Sequence, residues 1–217
     1  MKEKPSNERN LYGEENREYN RNRPQYKLAL DFLNYVQTQG KIKVLDLGCG
    51  LGEFADILKE NGLKAICVDG VDMFVKSVQQ RRYECYKVDL EYQRLPFDDN
   101  EFDIVFSLDV IEHLWNTSHY LADIVRVLKP NGNAIFTTVN YNYWEYRIQH
   151  FLGNFEKFTY KSRHKKFYTI KSFKEEISKY YKIKRNIGLA CIPSKRCINR
   201  FQNLLSVHIG ILGTPKK

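Results

Sequence analysis

The sequence predicts an α/β fold: a mostly parallel sheet with helices on both faces. Two observations predict it. Short apolar runs of strand length recur between residues 44 and 107, several closing on an acid, with helix-length segments between them. The first of these runs, Val44-Leu45-Asp46-Leu47, passes directly into Gly48-Cys49-Gly50-Leu51-Gly52 and then into Glu53-Phe54. That is a strand, a glycine-rich turn and a helix start, the junction at which open parallel sheets bind ligands.

The remaining elements follow in order. Residues 65–69 (AICVD) form the second strand and 84–88 the third, closing on Asp89-Leu90. Residues 102–107 form the fourth, followed by Leu108-Asp109-Val110-Ile111-Glu112-His113-Leu114. The next helix sets Leu121, Ile124, Val125 and Leu128 on one face and stops at Lys129-Pro130-Asn131-Gly132. The fifth strand, 133–139, closes on Asn140. Residues 169–181 read as a helix with Ser172 as N-cap and Glu175 three residues on, 182–189 as an edge strand and 207–213 as the last strand. No apolar run reaches the roughly 20 residues of a membrane span.

Gly48, Gly50 and Gly52 leave bare backbone, so a ligand can approach the amides at the helix N-terminus. A dinucleotide loop reads G-x-G-x-x-G, but Glu53 stands where its third glycine or alanine belongs. Asp46 and Glu53 would both set negative charge against a pyrophosphate. A cofactor ending in an amino acid and carrying a sulfonium fits better, because its cationic groups favour nearby carboxylates. No G-x-x-x-x-G-K-[ST] phosphate loop occurs. At the tip of the second strand Asp69 can accept both hydroxyls of a ribose, with Asp72 as the alternative, and Asp89 can meet the exocyclic amine of adenine.

The ordered set VLDLGCGLGEF, VDG, VDLEYQRLPFDDNEFDIVFSLDVIEHL and RVLKPNGNAIFTTVN resembles the class I S-adenosylmethionine-dependent methyltransferases. The nearest flavour is the small-molecule group that includes quinone-biosynthesis enzymes. The resemblance covers residues 41–140 and extends more loosely over 164–173. It implies a Rossmann-like sheet of seven strands, mostly parallel, with helices on both faces and an antiparallel last strand. It implies S-adenosylmethionine as cofactor and S-adenosylhomocysteine as product. It also implies that Gly48, Cys49, Gly50 and Gly52 line the methionine end, with Asp46 supporting the ammonium. Asp69 and Gly70 would hold the ribose, Asp89 and Leu90 would flank the adenine, and the Ser107 carbonyl would meet the ammonium.

Residues 1–25 are charged and nearly without aliphatics, which predicts a flexible arm ahead of one domain over 26–217, with 140–170 as a substrate-side insertion. In such an arm Tyr12, Tyr19 and Arg23 are the residues a cofactor lid would use. The arm does not read as a secretory signal. The five cysteines include no C-x-x-C pair, so a reducing, cytoplasmic setting is expected. Cys191, Cys197 and His208 lack zinc spacing, and no metal is expected.

The formal charge is +9, distributed unevenly: residues 150–217 hold 16 Lys and Arg against three acids. Such a basic third points to an anionic partner (a phosphorylated or carboxylated small molecule, a membrane surface or RNA) or to a solvated lysine-rich face. Asn140 and the aromatic stretch Tyr141, Tyr143, Trp144 and Tyr146, with Arg147, Ile148, Phe151, Leu152 and Phe155, leave the fifth strand on the ligand edge. They read as a cap over an apolar or lipid-like acceptor, a stacking surface for nucleobases, an interfacial helix, or ordinary core. Asn140, Tyr143, Trp144 and Arg147 are the substrate-side candidates.

For a hydroxyl acceptor, His113 or His164 can take the proton. The Asp/Asn-Pro-Pro-Tyr/Phe grip of amino-methylating nucleic-acid enzymes is replaced by Ser107-Leu108-Asp109-Val110, which argues against methylation of DNA bases. The expected function is therefore methyl transfer to a small molecule, most simply to oxygen. An RNA-directed methyltransferase and a non-catalytic cofactor-binding subunit are the alternatives.

Overall fold

A computed structural model describes residues 20–36, 41–154, 163–190 and 202–217. Tyr12, Tyr19, Phe155, Cys191 and Cys197 lie outside the described residues. Pro24 opens α1 (Pro24–Leu33), where its fixed φ suits the first turn and its missing N–H costs nothing. Helical structure thus begins within the stretch expected to be an arm. The chain then forms β1 (Val44–Leu47), α2 (Glu53–Glu60), β2 (Ala65–Asp69), α3 (Asp72–Gln80), β3 (Cys85–Lys87) and β4 (Phe102–Leu108). A 3-10 turn, Ile111–His113, and α4 (Thr117–Val127) lead to β5 (Leu128–Val139) and α5 (Trp144–Phe151). The chain closes with α6 (Ile170–Ser178), β6 (Tyr181–Ala190), α7 (Gln202–Leu205) and β7 (Ser206–Pro215).

The seven strands lie in the order β3-β2-β1-β4-β5-β7-β6. Neighbours from β3 through β5 are parallel, and β7 runs antiparallel to both β5 and β6. Chain order reverses between β1 and β4, and the glycine loop leaves β1 at that switch point. Alternate strand residues feed two cores. Leu45, Leu47, Val105 and Phe136 pack with Leu121, Ile124, Phe173 and Ile177 on one face, while Val44, Ile104, Phe106 and Ile135 pack with Phe32, Phe54 and Leu58 on the other.

Several sequence expectations shift. Leu128 begins β5 instead of closing α4, and the Lys129–Gly132 turn becomes an irregularity in that strand, across which Phe102 pairs with Leu128 and Ile104 with Asn133. Thr169, not Ser172, caps α6: its side chain accepts the Ser172 amide while Ser172 Oγ accepts the Thr169 amide. Helix α6 stops at Ser178, so Tyr181 joins β6. Helix α5 is not ordinary core, because it buries none of its residues and Phe151 is 90% exposed. Among the described residues no helix is long and apolar enough to cross a membrane.

Candidate cofactor and acceptor site

The loop after β1 turns on three left-handed glycines, with φ of +68° at Gly48, +55° at Gly50 and +76° at Gly52. At Gly48 a side chain is also barred by space, since a Cβ would stand 2.4 Å from Val110 Cγ2. The Gly48 and Cys49 amides donate to the Val68 carbonyl, and the Gly50 amide donates to Asp69 Oδ2 at 2.9 Å. The tips of β1 and β2 are therefore tied together. Asp69 also accepts the Val71 amide through Oδ1. Asp72 instead opens α3 and pairs with Lys76 and Lys87, so Asp69 is the acid joined to the loop.

Three carboxylates meet at this loop. Asp46 is wholly enclosed, and burial first, then Asp69 and Glu53, push its pKa from 3.8 up to about 8. Asp46 Oδ2 and Glu53 Oε1 are buried without a hydrogen-bond partner. Arg23, the N-cap of α1, lies 3.7 Å from Glu53 Oε1, and the Tyr26 hydroxyl lies 3.4 Å from Glu53 Oε2. Enclosed acids with an unpartnered oxygen suit a cationic ligand and oppose a pyrophosphate, as the loop sequence predicts.

The other expected cofactor residues lie at or past the ends of β2, β3 and β4. Register sets Ser107 beside Leu47 in β4, where its Oγ accepts the Tyr120 hydroxyl at 2.8 Å. Asp89 is exposed just past β3 and accepts the Glu91 amide, Leu90 is buried beside it, and Gly70 is exposed after β2. Cys49, Cys67 and Cys85 are buried free thiols.

Farther along the same strand ends lies a second polar group. The His113 and His164 rings meet edge to face at 4.8 Å. The Tyr141 hydroxyl lies 2.5 Å from His164 Nδ1, and the Arg163 carbonyl accepts His113 Nδ1–H at 3.4 Å. Burial lowers the His164 pKa from 6.5 to about 4, aided by His113, so this ring is neutral at pH 7 and is a weaker base than its residue type suggests. Glu112 is completely buried next to them. Burial first, and then Asp109, hold its carboxyl well above the usual range; the Thr138 hydroxyl and Val139 amide face it without forming aligned hydrogen bonds. Asp109 itself accepts the Thr137 hydroxyl at 2.8 Å and lies 3.2 Å from His208 Nε2.

The sequence reading missed Glu112, Asp109 and His208 as members of this group. The only local signal was the acid at 109, three residues before Glu112-His113. The substrate-side candidates flank Tyr141, whose hydroxyl meets His164. Asn140 is fully buried and structural, its Nδ2 donating to the Ser206 carbonyl and its Oδ1 accepting the Asn142 amide. Tyr143 is buried, packing on Trp144 and Tyr146, while Trp144 and Arg147 are exposed on α5.

A family profile described as a methyltransferase domain matches residues 45–136, the stretch that holds the glycine loop, Asp69, Asp89, Ser107 and His113. That stretch carries the pattern of a class I S-adenosylmethionine-dependent methyltransferase domain. It is similar to the ubiquinone biosynthesis O-methyltransferase of Rickettsia akari, with 29% identity over 111 residues, covering 49% of this chain and 44% of that one. Its similarity to the enzyme of the same name from Neisseria meningitidis serogroup C is 30% over 125 residues, covering 53% of this chain and 51% of that one. The chain thus spans about half the length of these curated relatives, or less. An S-adenosylmethionine-dependent methyltransferase structure from Archaeoglobus fulgidus superposes with a TM-score of 0.64 at 20% identity, over 87% of this chain and 92% of that one, and shares the fold. The cofactor of this methyltransferase family is S-adenosylmethionine, and the enclosed carboxylates at the glycine loop fit its cationic end.

Proposed function

We propose that this methyltransferase transfers a methyl group to the hydroxyl of a small molecule. The observation that carries the reading is the His113–His164 pair, with Tyr141 and Glu112 around it, past the ends of the strands that carry the cofactor loop. Asp46 and the Gly48–Gly52 backbone would hold the amino acid end of the cofactor, Asp69 its ribose, and Asp89 with Leu90 its adenine. When bound, S-adenosylmethionine supplies a methyl group already activated as a sulfonium. What the protein adds is orientation of the acceptor and removal of its proton.

The two imidazoles suit that task. The Arg163 carbonyl can only accept, so His113 Nδ1 is the donor there, and in the neutral form of the ring Nε2 carries the lone pair. His164 is neutral and its Nδ1 is engaged by Tyr141. The O-methyltransferase names of the curated relatives support oxygen as the acceptor atom. The RNA reading is weakened by where the basic charge goes. Lys165 pairs with Glu91 at 2.6 Å, and Lys179 and Lys166 pair with Glu176 at 2.6 and 4.0 Å, so part of it neutralises the chain's own acids.

The test is transfer of labelled methyl from S-adenosylmethionine to a panel of phenols, aliphatic alcohols, carboxylates and RNA. Label on a small-molecule hydroxyl is expected, with His113→Gln lowering kcat by about 10²–10⁴-fold and leaving cofactor affinity unchanged. Label confined to RNA, or an unaffected His113 variant, would overturn the reading.

A further inference from the structure

We propose that Cys49 and Cys85 form a reversible disulfide, and that closing it takes the glycine loop out of its cofactor-binding shape. The two Sγ atoms stand 4.0 Å apart. Together with Cys67, Ala55 of α2, and Val75 and Val78 of α3, they form a small core separate from the two main ones. The switch acts on the cofactor loop, whatever atom accepts the methyl group.

Of the two partners, Cys85 is the anchored one. Its carbonyl accepts Gln79 Nε2 at 2.8 Å, and the adjoining Glu84 carbonyl accepts the Cys67 amide at 2.9 Å. Cys49 lies instead between Gly48 and Gly50, both left-handed, in the loop itself. That loop is held by the Cys49 amide on the Val68 carbonyl at 3.1 Å and by the Gly50 amide on Asp69 Oδ2 at 2.9 Å. A disulfide sets its sulfurs about 2.05 Å apart, so the pair must close by about 2 Å. The movement falls on the loop and draws the Gly50 amide away from Asp69, the acid assigned to the ribose. Cys67 is a poorer partner for an external oxidant, being 0% exposed where Cys49 and Cys85 are 5% and 6% exposed.

The oxidant is a small-molecule disulfide of the glutathione kind. One protein thiolate attacks it, forming a mixed disulfide and expelling one small thiolate. The second protein thiolate then attacks the protein sulfur of that mixed disulfide and expels the other. The two protons lost by the cysteines end on the two released thiols; the protein pair gives up two electrons and the small disulfide takes them. Contact with the other two thiols, and then burial, hold the Cys49 thiol well above its usual pKa, so its thiolate is scarce while the loop is closed. The reduced pair is therefore slow to oxidise in the closed loop and reacts when the loop opens. Such reversible bonds are the kind that sense redox state inside cells.

The test is equilibration of the full chain in glutathione redox buffers, followed by calorimetric titration with S-adenosylmethionine and tryptic mapping of the alkylated product. Cleavage at Lys64 and Arg82 places Cys49, Cys67 and Cys85 on separate peptides. We expect a Cys49–Cys85 linked pair, cofactor affinity lower by about tenfold or more in the oxidised chain, and full recovery with dithiothreitol. Coupling is reciprocal, so saturating S-adenosylmethionine should shift the thiol–disulfide midpoint towards the thiols by the same factor. Cys85→Ser and Cys85→Ala should bind the cofactor as the reduced wild type does and keep that affinity in oxidising buffer. The map and the midpoint are read on the wild-type chain and need neither variant. Absence of the Cys49–Cys85 linkage, a linkage that leaves affinity and midpoint unchanged, or an equal loss of affinity in the Cys85 variants would each overturn the switch.

Discussion

Asp69 Oδ2 accepts the Gly50 amide at 2.9 Å, so the acid at the tip of β2 is also the latch that holds the glycine loop of β1 in shape. Its other oxygen takes the Val71 amide. One carboxylate thus joins two strand tips and remains a multiple acceptor for ribose hydroxyls. Asp69→Ala is expected to weaken S-adenosylmethionine binding by at least about tenfold and to cost about 1.5–3 kcal/mol of stability, as for lost hydrogen bonds to a charged group. Calorimetry and urea unfolding measure the two. Equal cofactor affinity in the variant would remove Asp69 from the site.

Asp46 gives the fold a pH dependence. With its pKa raised from 3.8 to about 8, the folded chain keeps a proton that the unfolded chain has lost. This group's contribution to stability is therefore present below its ordinary pKa and is lost progressively as pH rises towards about 8. Asp46→Asn cannot ionise and escapes that loss. The ligand-free variant should match wild type at about pH 4 and gain on it as pH rises, by at most about 1.4 kcal/mol per pH unit. Thermal melts of both proteins across that range decide it. A constant offset between them would show that Asp46 is not the titrating group.

Gly48 combines a left-handed backbone with a steric limit, and the two are separable. Gly48→Ala carries the strain of φ +68° and drives a methyl to 2.4 Å from Val110 Cγ2. A loss of about 1–3 kcal/mol is expected. Val110→Ala removes the obstructing methyl but leaves the backbone strain. The double variant should therefore recover part of the loss, and a double-mutant cycle by urea unfolding reads the coupling. Strict additivity would mean that the Val110 contact is relieved in some other way.

Elements whose periodicity is strong were legible in the sequence. The parallel strands and the glycine loop fell where apolar runs and acids predict, because burial on both sheet faces forces continuous apolar runs. For α5 only the ordinary-core reading fails, and for a physical reason. Four aromatic residues within 141–146 resemble a buried face, yet Tyr141 and Tyr143 pack at the helix entrance and Trp144 starts an exposed helix. The Glu112–His113–His164 group was not legible because 50 residues separate its two histidines in the chain. What joins them is a pair of backbone bonds from Lys165 and Lys166 to Glu112, which leave no trace in side-chain pattern.

Arg126 anchors the connection between β3 and β4, the loop that also carries Leu90 and Glu91. Its Nε donates to Asp123 Oδ1 at 2.6 Å, one terminal nitrogen to the Phe97 carbonyl at 2.6 Å and Asp99 at 3.0 Å, and the other to the Leu95 carbonyl at 2.9 Å. Asp123 in turn accepts the Leu95 amide at 2.6 Å. One guanidinium therefore satisfies two backbone carbonyls and two carboxylates from a single planar fork, an arrangement an ammonium cannot copy. Arg126→Ala leaves Asp123, 9% exposed, without its strongest partner and is expected to cost about 3–5 kcal/mol, in the range for breaking a buried charged pair. Arg126→Lys should restore less than half of that, because it replaces four directed bonds with one mobile charge. Urea unfolding of the three proteins gives the ranking, and a lysine variant as stable as wild type would show that charge alone, without the fork, holds the loop.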